Sequence, residues 1–194
     1  MTEQDHIVFP SFINRRVAVS ALVDLPSLGK TRVVCTHLTP TFSSSVGYHG
    51  PYASWEDENA QQTELMIAWG ESKVRAGERL VILGDMNVGP AIATATPPVE
   101  GEIPENFPIW ARHGYKDLYI DGMPNPQCTF CRGDNPYVTP MDNRSIIDHV
   151  FMKDATKFKS KRILDQPIQV TVPDAGVQEG RLSDHYGIEV EISK

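Results

Sequence analysis

The residues able to do chemistry in this sequence sit at the ends of short apolar runs. Thr36-His37-Leu38 follows Val33-Val34-Cys35, and Gly84-Asp85-Met86-Asn87 follows Leu80 to Leu83. Ile147-Asp148-His149-Val150 lies inside a third run, and Ser183-Asp184-His185 precedes a fourth, Gly187 to Ile192. Apolar or β-branched runs of this length, bounded by turn residues, predict buried strands. Polar groups at strand ends can converge on one rim of a sheet. Two imidazoles (His37, His185), three carboxylates (Asp85, Asp148, Asp184) and the Asn87 amide on one rim suit metal-assisted attack on a phosphoester.

Taken in order, these blocks resemble the endonuclease/exonuclease/phosphatase superfamily, which includes deoxyribonuclease I-like nucleases, sphingomyelinases and inositol-phosphate phosphatases. Its later motifs are a T-H-L strand end, a G-D-x-N strand end, an I-D strand end and a terminal S-D-H. Here they read Thr36-His37-Leu38, Gly84-Asp85-Met86-Asn87, Ile147-Asp148 and Ser183-Asp184-His185. The implied fold is the four-layer α/β/β/α sandwich of the deoxyribonuclease I-like type, as a single domain over residues 1–194 that lacks the family's N-terminal strands. The asparagine of the family's first strand and its Q-E glutamate have no counterpart here. Glu3 and Glu58 are nearby, but neither follows a buried strand.

The resemblance also implies roles. His185 is the expected general base, a neutral imidazole with a pKa of about 6.5. Asp148 fixes its tautomer. His37 donates to a phosphate oxygen as charge builds, while Asp85 and Asn87 position the attacking water and a metal or phosphate oxygen. Asp184, with Asp85 and Asn87, is expected to hold Mg²⁺, or Mn²⁺ in its place, through hard oxygen ligands. His149 should point to the opposite face of the sheet from Asp148. Two functional readings follow. One is a Mg²⁺-dependent hydrolase of a nucleic acid, a phospholipid headgroup or a soluble phosphoester. The other is a truncated, catalytically impaired domain that binds a phosphoester or a protein partner without turnover. Cys128-Thr129-Phe130 with Asn135-Pro136 resembles the T-W…N-P segment of sphingomyelinase-like members.

Elements must position these groups. Arg16–Leu25 and Thr31–His37 predict a hairpin turning at Pro26 to Lys30. A long loop from Thr39 through Ser43-Ser44-Ser45 to Trp55 follows, offering Tyr48, His49, Tyr52 and Trp55 either to a substrate or to the domain surface. Asp57–Arg75 predicts the long helix, with Leu65 and Trp69 inward and Gln61, Gln62, Glu64 and Lys73 outward. Gly77 serves as its stop. Strand–helix–strand order then predicts a right-handed crossover into Arg79–Leu83. A short helix within Ile103–Arg112 is anchored by Trp110. Cys128–Phe130, Asn143–Lys153, Phe158–Leu164 and Ile168–Val172 complete the expected strands, with a loop over Pro173–Leu182.

At 194 residues, with 40% hydrophobic content, the chain can bury a core of its own. No apolar run approaches the roughly 20 residues of a membrane span, and Met1 to His6 shows no signal-peptide pattern. The compartment is left open. The net charge of −7 argues against tight non-specific binding to a polyanion. Lys157, Lys159 and Lys161 alternate onto one strand face and read as a solvated edge. Cys35 reads as a small buried hydrophobe. Cys128 and Cys131 lack the further ligands of a structural zinc site, so neither a metal nor a redox role is expected of them. A sandwich without its first strands would expose sheet, which predicts self-association.

Overall fold

Alternation along Arg16–Leu25 buries Arg16, Ala18, Ser20 and Leu22 on one face, the two-residue period of a strand. In the computed structural model, which describes residues 2–26, 28–42, 45–174 and 176–193, this strand is the second of a meander. Strands β1 (Thr2–Phe9), β2 (Arg16–Leu25) and β3 (Gly29–His37) pair antiparallel in sequence. Helix α1 (Trp55–Ser72) then crosses over to β4 (Arg79–Asp85), which lies parallel to β3. Downstream come α2 (Pro108–Arg112), β5 (Lys116–Asp117), α3 (Leu118–Asp121), β6 (Phe130–Cys131), β7 (Arg144–Ser145) and β8 (Asp148–Met152). The chain closes with β9 (Lys157–Ile163), β10 (Ile168–Val172), β11 (Gly176–Gly180) and β12 (Gly187–Ser193).

One six-stranded sheet, in the order β1-β2-β3-β4-β8-β5, carries the architecture. Helices α1 and α2 cover one face: Met66, Ile67, Ile109 and Trp110 pack on Ala18, Val34, Ile82 and Phe151. Trp110 stacks on Phe151 at 3.7 Å between ring centroids. On the other face the antiparallel pair β9–β12 lays Phe158, Val190 and Ile192 over Val81, Leu83, Val150 and Met152. Burying each large apolar side chain contributes about 1.5–3 kcal/mol. The β9–β12 pair covers only the β4–β8 half of that face. Over β2 and β3 an apolar trough of about 570 Å³ stays open, lined by Val19, Ala21, Val23, Val33 and Cys35.

That half-open face corrects the expectation for Cys35. It is a free, exposed cysteine, because its side of β3 is the side β9–β12 does not reach. Two strands also escape the sequence pattern. The polar β1 falls in a segment for which no strand is expected, yet it pairs along β2, and β11, expected as loop, pairs with β10. The run Asn143–Lys153 is interrupted, with β7 and β8 separated by Ile146 and Ile147. Ser27 in the first turn and Ser43 and Ser44 of the serine run lie outside the described residues. The lysine edge reads as expected, since Lys159 pairs with Glu191 and Lys161 with Glu189 across the strands, each at 2.9 Å.

Helix α1 departs most from its expected face. It starts at Ser54, whose side chain accepts from the Asp57 N–H, and acidic Glu56, Asp57 and Glu58 fill its first turn. That cap and those charges suit the positive end of the helix dipole. Leu65 is 41% exposed, while Glu58, Asn59, Gln62 and Thr63 are buried. These polar groups are inside because they bind main chain. Asn59 Nδ2 donates to the carbonyls of Thr39 and Met86 at 2.8 and 3.0 Å. Gln62 accepts the Thr39 N–H at 3.1 Å and donates to the Pro10 carbonyl at 3.0 Å. The helix thereby fixes the segments that leave β3 and β4, immediately beyond His37 and Asp85.

Candidate active site

Strand register builds the site. His37 lies opposite Asp85 across the parallel β3–β4 pair, and Asp85 lies opposite Asp148 across the antiparallel β4–β8 pair. Residues opposite one another share a face, so all three side chains emerge in a row at one rim, on the β9–β12 side. Gly84 makes the row possible. Its φ is +138° and a Cβ there would collide with the Thr36 carbonyl oxygen, so only glycine lets β4 lie this close to β3. Asn87 follows in a left-handed conformation at φ 51°, which asparagine tolerates better than most residues.

The fourth group arrives from the other layer. His185, just before β12, forms an antiparallel bridge with Phe130, and its ring centroid lies 5.0 Å from the phenyl centroid. Its Nδ1 is 2.8 Å from Asp148 Oδ2 and its Nε2 is 3.9 Å from Asp85 Oδ2. His37 Nε2 approaches the same Asp85 oxygen at 3.3 Å. An Asp148–His185–Asp85–His37 chain therefore crosses the rim. Asp85, Asp148 and His185 each offer a ligand atom, all within 4.8 Å of one another.

Electrostatics follow from this crowding. Burial lowers the pKa of His185, but the hydrogen bond and charge of Asp148, with the charges of Asp85 and Asp184, outweigh it and push it up to about 9. The expectation of a neutral imidazole near the ordinary value is thus corrected: the carboxylates around the ring retain its proton. Asp85 is pushed up to about 7, first by burial and then by Asp148, against the pull of His185. His37 moves the other way, lowered by burial and then by the charges of Arg16 and His185. A carboxyl that takes up a proton for want of counter-charge marks a place where a divalent cation fits, and oxygen donors suit a hard ion.

The remaining expected residues divide. Asp184 lines the same groove but stands outside the tight cluster, with its Oδ1 accepting from Ser183 Oγ at 3.1 Å. Asn87 lines it too. Its N–H donates to Asp85 Oδ1 at 2.9 Å and its Nδ2 to the Leu38 carbonyl at 2.9 Å, and among the described residues its amide oxygen has no hydrogen-bond donor. His149 points to the opposite face and is fully buried. Its Nδ1–H donates to Asp117 at 2.5 Å and its Nε2–H to the Val88 carbonyl at 2.7 Å. A carbonyl can only accept, so Nε2 carries a proton, and the Asp117 carboxylate beside Nδ1 favours a second. Burial lowers its pKa, yet the charge and hydrogen bond of Asp117 and then the Val88 carbonyl raise it overall. It belongs to the framework.

The groove over the rim measures about 450 Å³. Pro40, Thr41, Phe42 and Ser45 of the loop after β3 line it, together with Phe130, Met141 and Ser145. The long loop thus contributes to the groove, but through its first residues. Tyr48 and Trp55 instead pack with Phe12 and Phe42, and Tyr48 donates to Glu58 at 2.9 Å. Sequence reasoning passed over Arg16. It is 9% exposed and its Nε has no hydrogen-bond partner among the described residues; its charge acts on His37, while burial lowers its own pKa against the raising charges of Asp85 and Glu58. Alternation alone could have flagged it, since it shares the inward register of Ala18, Ser20 and Leu22.

No protein-family model matches the chain, and no curated protein matches it in sequence. Its three-dimensional relatives are clear. A truncated TDP2 from Caenorhabditis elegans superposes with a TM-score of 0.69 at 15% identity, covering 100% of this chain and 66% of the other. An endonuclease/exonuclease/phosphatase family protein from Bacteroides thetaiotaomicron gives 0.59 at 16% identity, covering 98% and 64%. The chain has the deoxyribonuclease I-like fold that these structures share. A mannosyl-6-phosphatase from the same bacterium, at TM-score 0.57 and 15% identity over 99% and 66%, shares the fold. The chain spans just under two thirds of these relatives' lengths. On this fold the strand ends carrying His37, Asp85 and Asp148 and the turn before β12 form a single rim, the convergence expected from the motifs.

Proposed function

We propose that this chain is a phosphoester hydrolase domain that acts with a divalent cation, Mg²⁺ or Mn²⁺, on small phosphoesters. The observation that carries the reading is the Asp148–His185–Asp85–His37 chain at 2.8, 3.9 and 3.3 Å. Asp85, with Asp184 and the Asn87 amide oxygen, would hold the cation, which when bound supplies positive charge to the phosphoryl oxygens. Asp148 accepts from His185 Nδ1 and so turns Nε2 toward the groove. Neutralising Asp85 and Asp184 removes part of the field that keeps the proton on His185, leaving Nε2 able to take a proton from an attacking water. His37 faces the same space as a donor to a phosphoryl oxygen.

The groove's charge supports the choice of substrate. Four of its lining residues are acidic (Asp85, Glu102, Asp142 and Asp184), and no lysine or arginine lines it among the described residues. A nucleic-acid strand is bound mainly through cations that neutralise successive phosphates. One phosphoryl group compensated by one cation suits this groove better, whether on a soluble phosphoester or on a headgroup. Turnover of a chromogenic phosphodiester and a phosphomonoester, with a single-stranded oligonucleotide as competitor, tests both parts. Metal-dependent hydrolysis with weak competition is the expected result. Strong competition at physiological salt would move the substrate to nucleic acid.

A second reading, binding without turnover, is favoured by one observation. Among the described residues the tight cluster holds two carboxylates and an imidazole, with Asp184 standing apart from it. Calorimetry with Mg²⁺ and a non-hydrolysable phosphoester separates the two. Binding of both without hydrolysis would select this reading.

A further inference from the structure

Between Cys128 and Cys131 the chain touches both halves of the catalytic pair. The two cysteines are bonded to each other and fully buried. Thr129, inside the loop they close, accepts with its Oγ1 from the N–H groups of Ile147 and Asp148, at 3.1 and 3.2 Å. Its own N–H donates to the Ser145 carbonyl at 3.0 Å and its carbonyl accepts the Tyr186 N–H at 2.8 Å. Phe130, the other enclosed residue, pairs with His185 and lies against its ring.

The same loop reaches the next turn. Asn135, whose N–H donates to the Cys131 carbonyl at 3.0 Å, holds the carbonyls of Ser183 and Asp184 through Nδ2 at 2.8 and 3.1 Å. Arg162 packs on the sulfurs from outside. Its Nη1 is 3.4 Å from Cys131 Sγ and 3.8 Å from Cys128 Sγ, and its guanidinium lies 4.3 Å from the Tyr186 ring centroid. Asp148 and His185 come from segments 37 residues apart. Short polar contacts from residues 129–135 anchor both segments.

We propose that Cys128–Cys131 is a redox site whose oxidised form holds Asp148 and His185 in catalytic register, an inference that rests on the hydrolase reading. The reductant is a dithiol. Its thiolate attacks one sulfur, forming a mixed disulfide and expelling the other cysteine as a thiolate, which the adjacent Arg162 cation stabilises. The dithiol's second thiolate then resolves the mixed disulfide. The protein gains two electrons and two protons as a pair of thiols, and the reductant leaves as its own disulfide. Freed of the cross-link, residues 128–131 sample more conformations, and Thr129 and Phe130 lose their fixed positions under Asp148 and His185. Because both sulfurs are buried, exchange waits on opening of the loop, so the state is set by the thiol poise under which the chain folds.

The test compares the whole chain in two forms, oxidised and reduced with dithiothreitol, each verified by mass after thiol alkylation. One alkylated cysteine, Cys35, marks the oxidised form and three mark the reduced. Phosphodiester turnover and amide hydrogen exchange are then measured on both. In the reduced form kcat should fall about 10–100-fold, the usual cost of losing a supporting contact, with KM little changed. The Ile147 and Asp148 amides should exchange faster, and reoxidation should restore both properties. The C128S/C131S double variant should match the reduced parent, and if it does not fold the reduced parent alone decides. Three free thiols with unchanged kcat and unchanged exchange would overturn the proposal. If the oxidised chain turns over no phosphoester, the hydrolase reading fails, and the exchange comparison still decides whether the bond holds this register.

Discussion

Replacing Asp117 tests the framework beneath the site through a change in both stability and its pH dependence. Asp117 Oδ2 lies 2.5 Å from His149 Nδ1, with side-chain exposures of 5% and 0%. Its other oxygen accepts the N–H groups of Tyr119 and Ile120 at the start of α3. Removing one member of a buried ion pair costs about 3–5 kcal/mol, and losing a cap about 1 kcal/mol more. Asp117→Ala should therefore remove a large share of the 5–15 kcal/mol, roughly, that a domain of this kind has. Asp117→Asn keeps a cap oxygen and can donate to a neutral imidazole, so it should cost less, about 1–3 kcal/mol. The sign of the pH effect follows from the raised pKa of His149. The folded state binds that proton more tightly than the unfolded chain, so the contribution is fully present below the unfolded value of about 6.5 and is lost as pH rises through the folded value. Urea unfolding of the cation-free protein at pH 6 and pH 9 should show the parent losing more stability than Asp117→Asn. Parallel stability–pH curves for the two, or a cost under about 1 kcal/mol for Asp117→Ala, would refute the argument.

Other consequences are more compact. Because Asp85 is raised to about 7, cation binding should release protons and tighten as pH rises through that value, measurable by calorimetry in buffers of differing ionisation enthalpy; binding without proton release would contradict it. Trp110, 1% exposed and stacked on Phe151, should cost about 3–5 kcal/mol on replacement by alanine, read as a lowered denaturant midpoint with intact cation binding. The open trough over Val19, Ala21 and Val33 predicts concentration-dependent self-association in sedimentation velocity, reduced by Val19→Lys; a monomer at all concentrations would show that the trough is tolerated in water.

What the sequence disclosed and what it hid divide along physical lines. The rim was legible because each motif pairs a β-branched run with a polar residue at its end, and strand periodicity then decides the face, as for Asp148 and His149. The inward face of α1 was not, since hydrophobic periodicity assumes that buried means apolar. Glu58, Asn59 and Gln62 are inside because they satisfy main-chain groups of distant segments, a requirement invisible in a local window. Strand β1 was hidden for a related reason: a polar strand at a sheet edge gains its stability from ladder hydrogen bonds, which carry no side-chain signature. The Cys128–Cys131 bond needed the fold itself, because spacing alone cannot distinguish a disulfide from two free thiols.

The central claim is that His185, oriented by Asp148 and facing Asp85, drives phosphoester hydrolysis with a divalent cation. The most direct measurement is the initial rate on a chromogenic phosphodiester with Mn²⁺, for the parent and for His185→Ala, each repeated in excess chelator. The account predicts a parent rate abolished by chelator and lowered on the order of 10²–10⁴-fold by the substitution, with the variant's fold intact by circular dichroism. Undiminished hydrolysis by the His185→Ala protein, or by the parent in chelator, would contradict it.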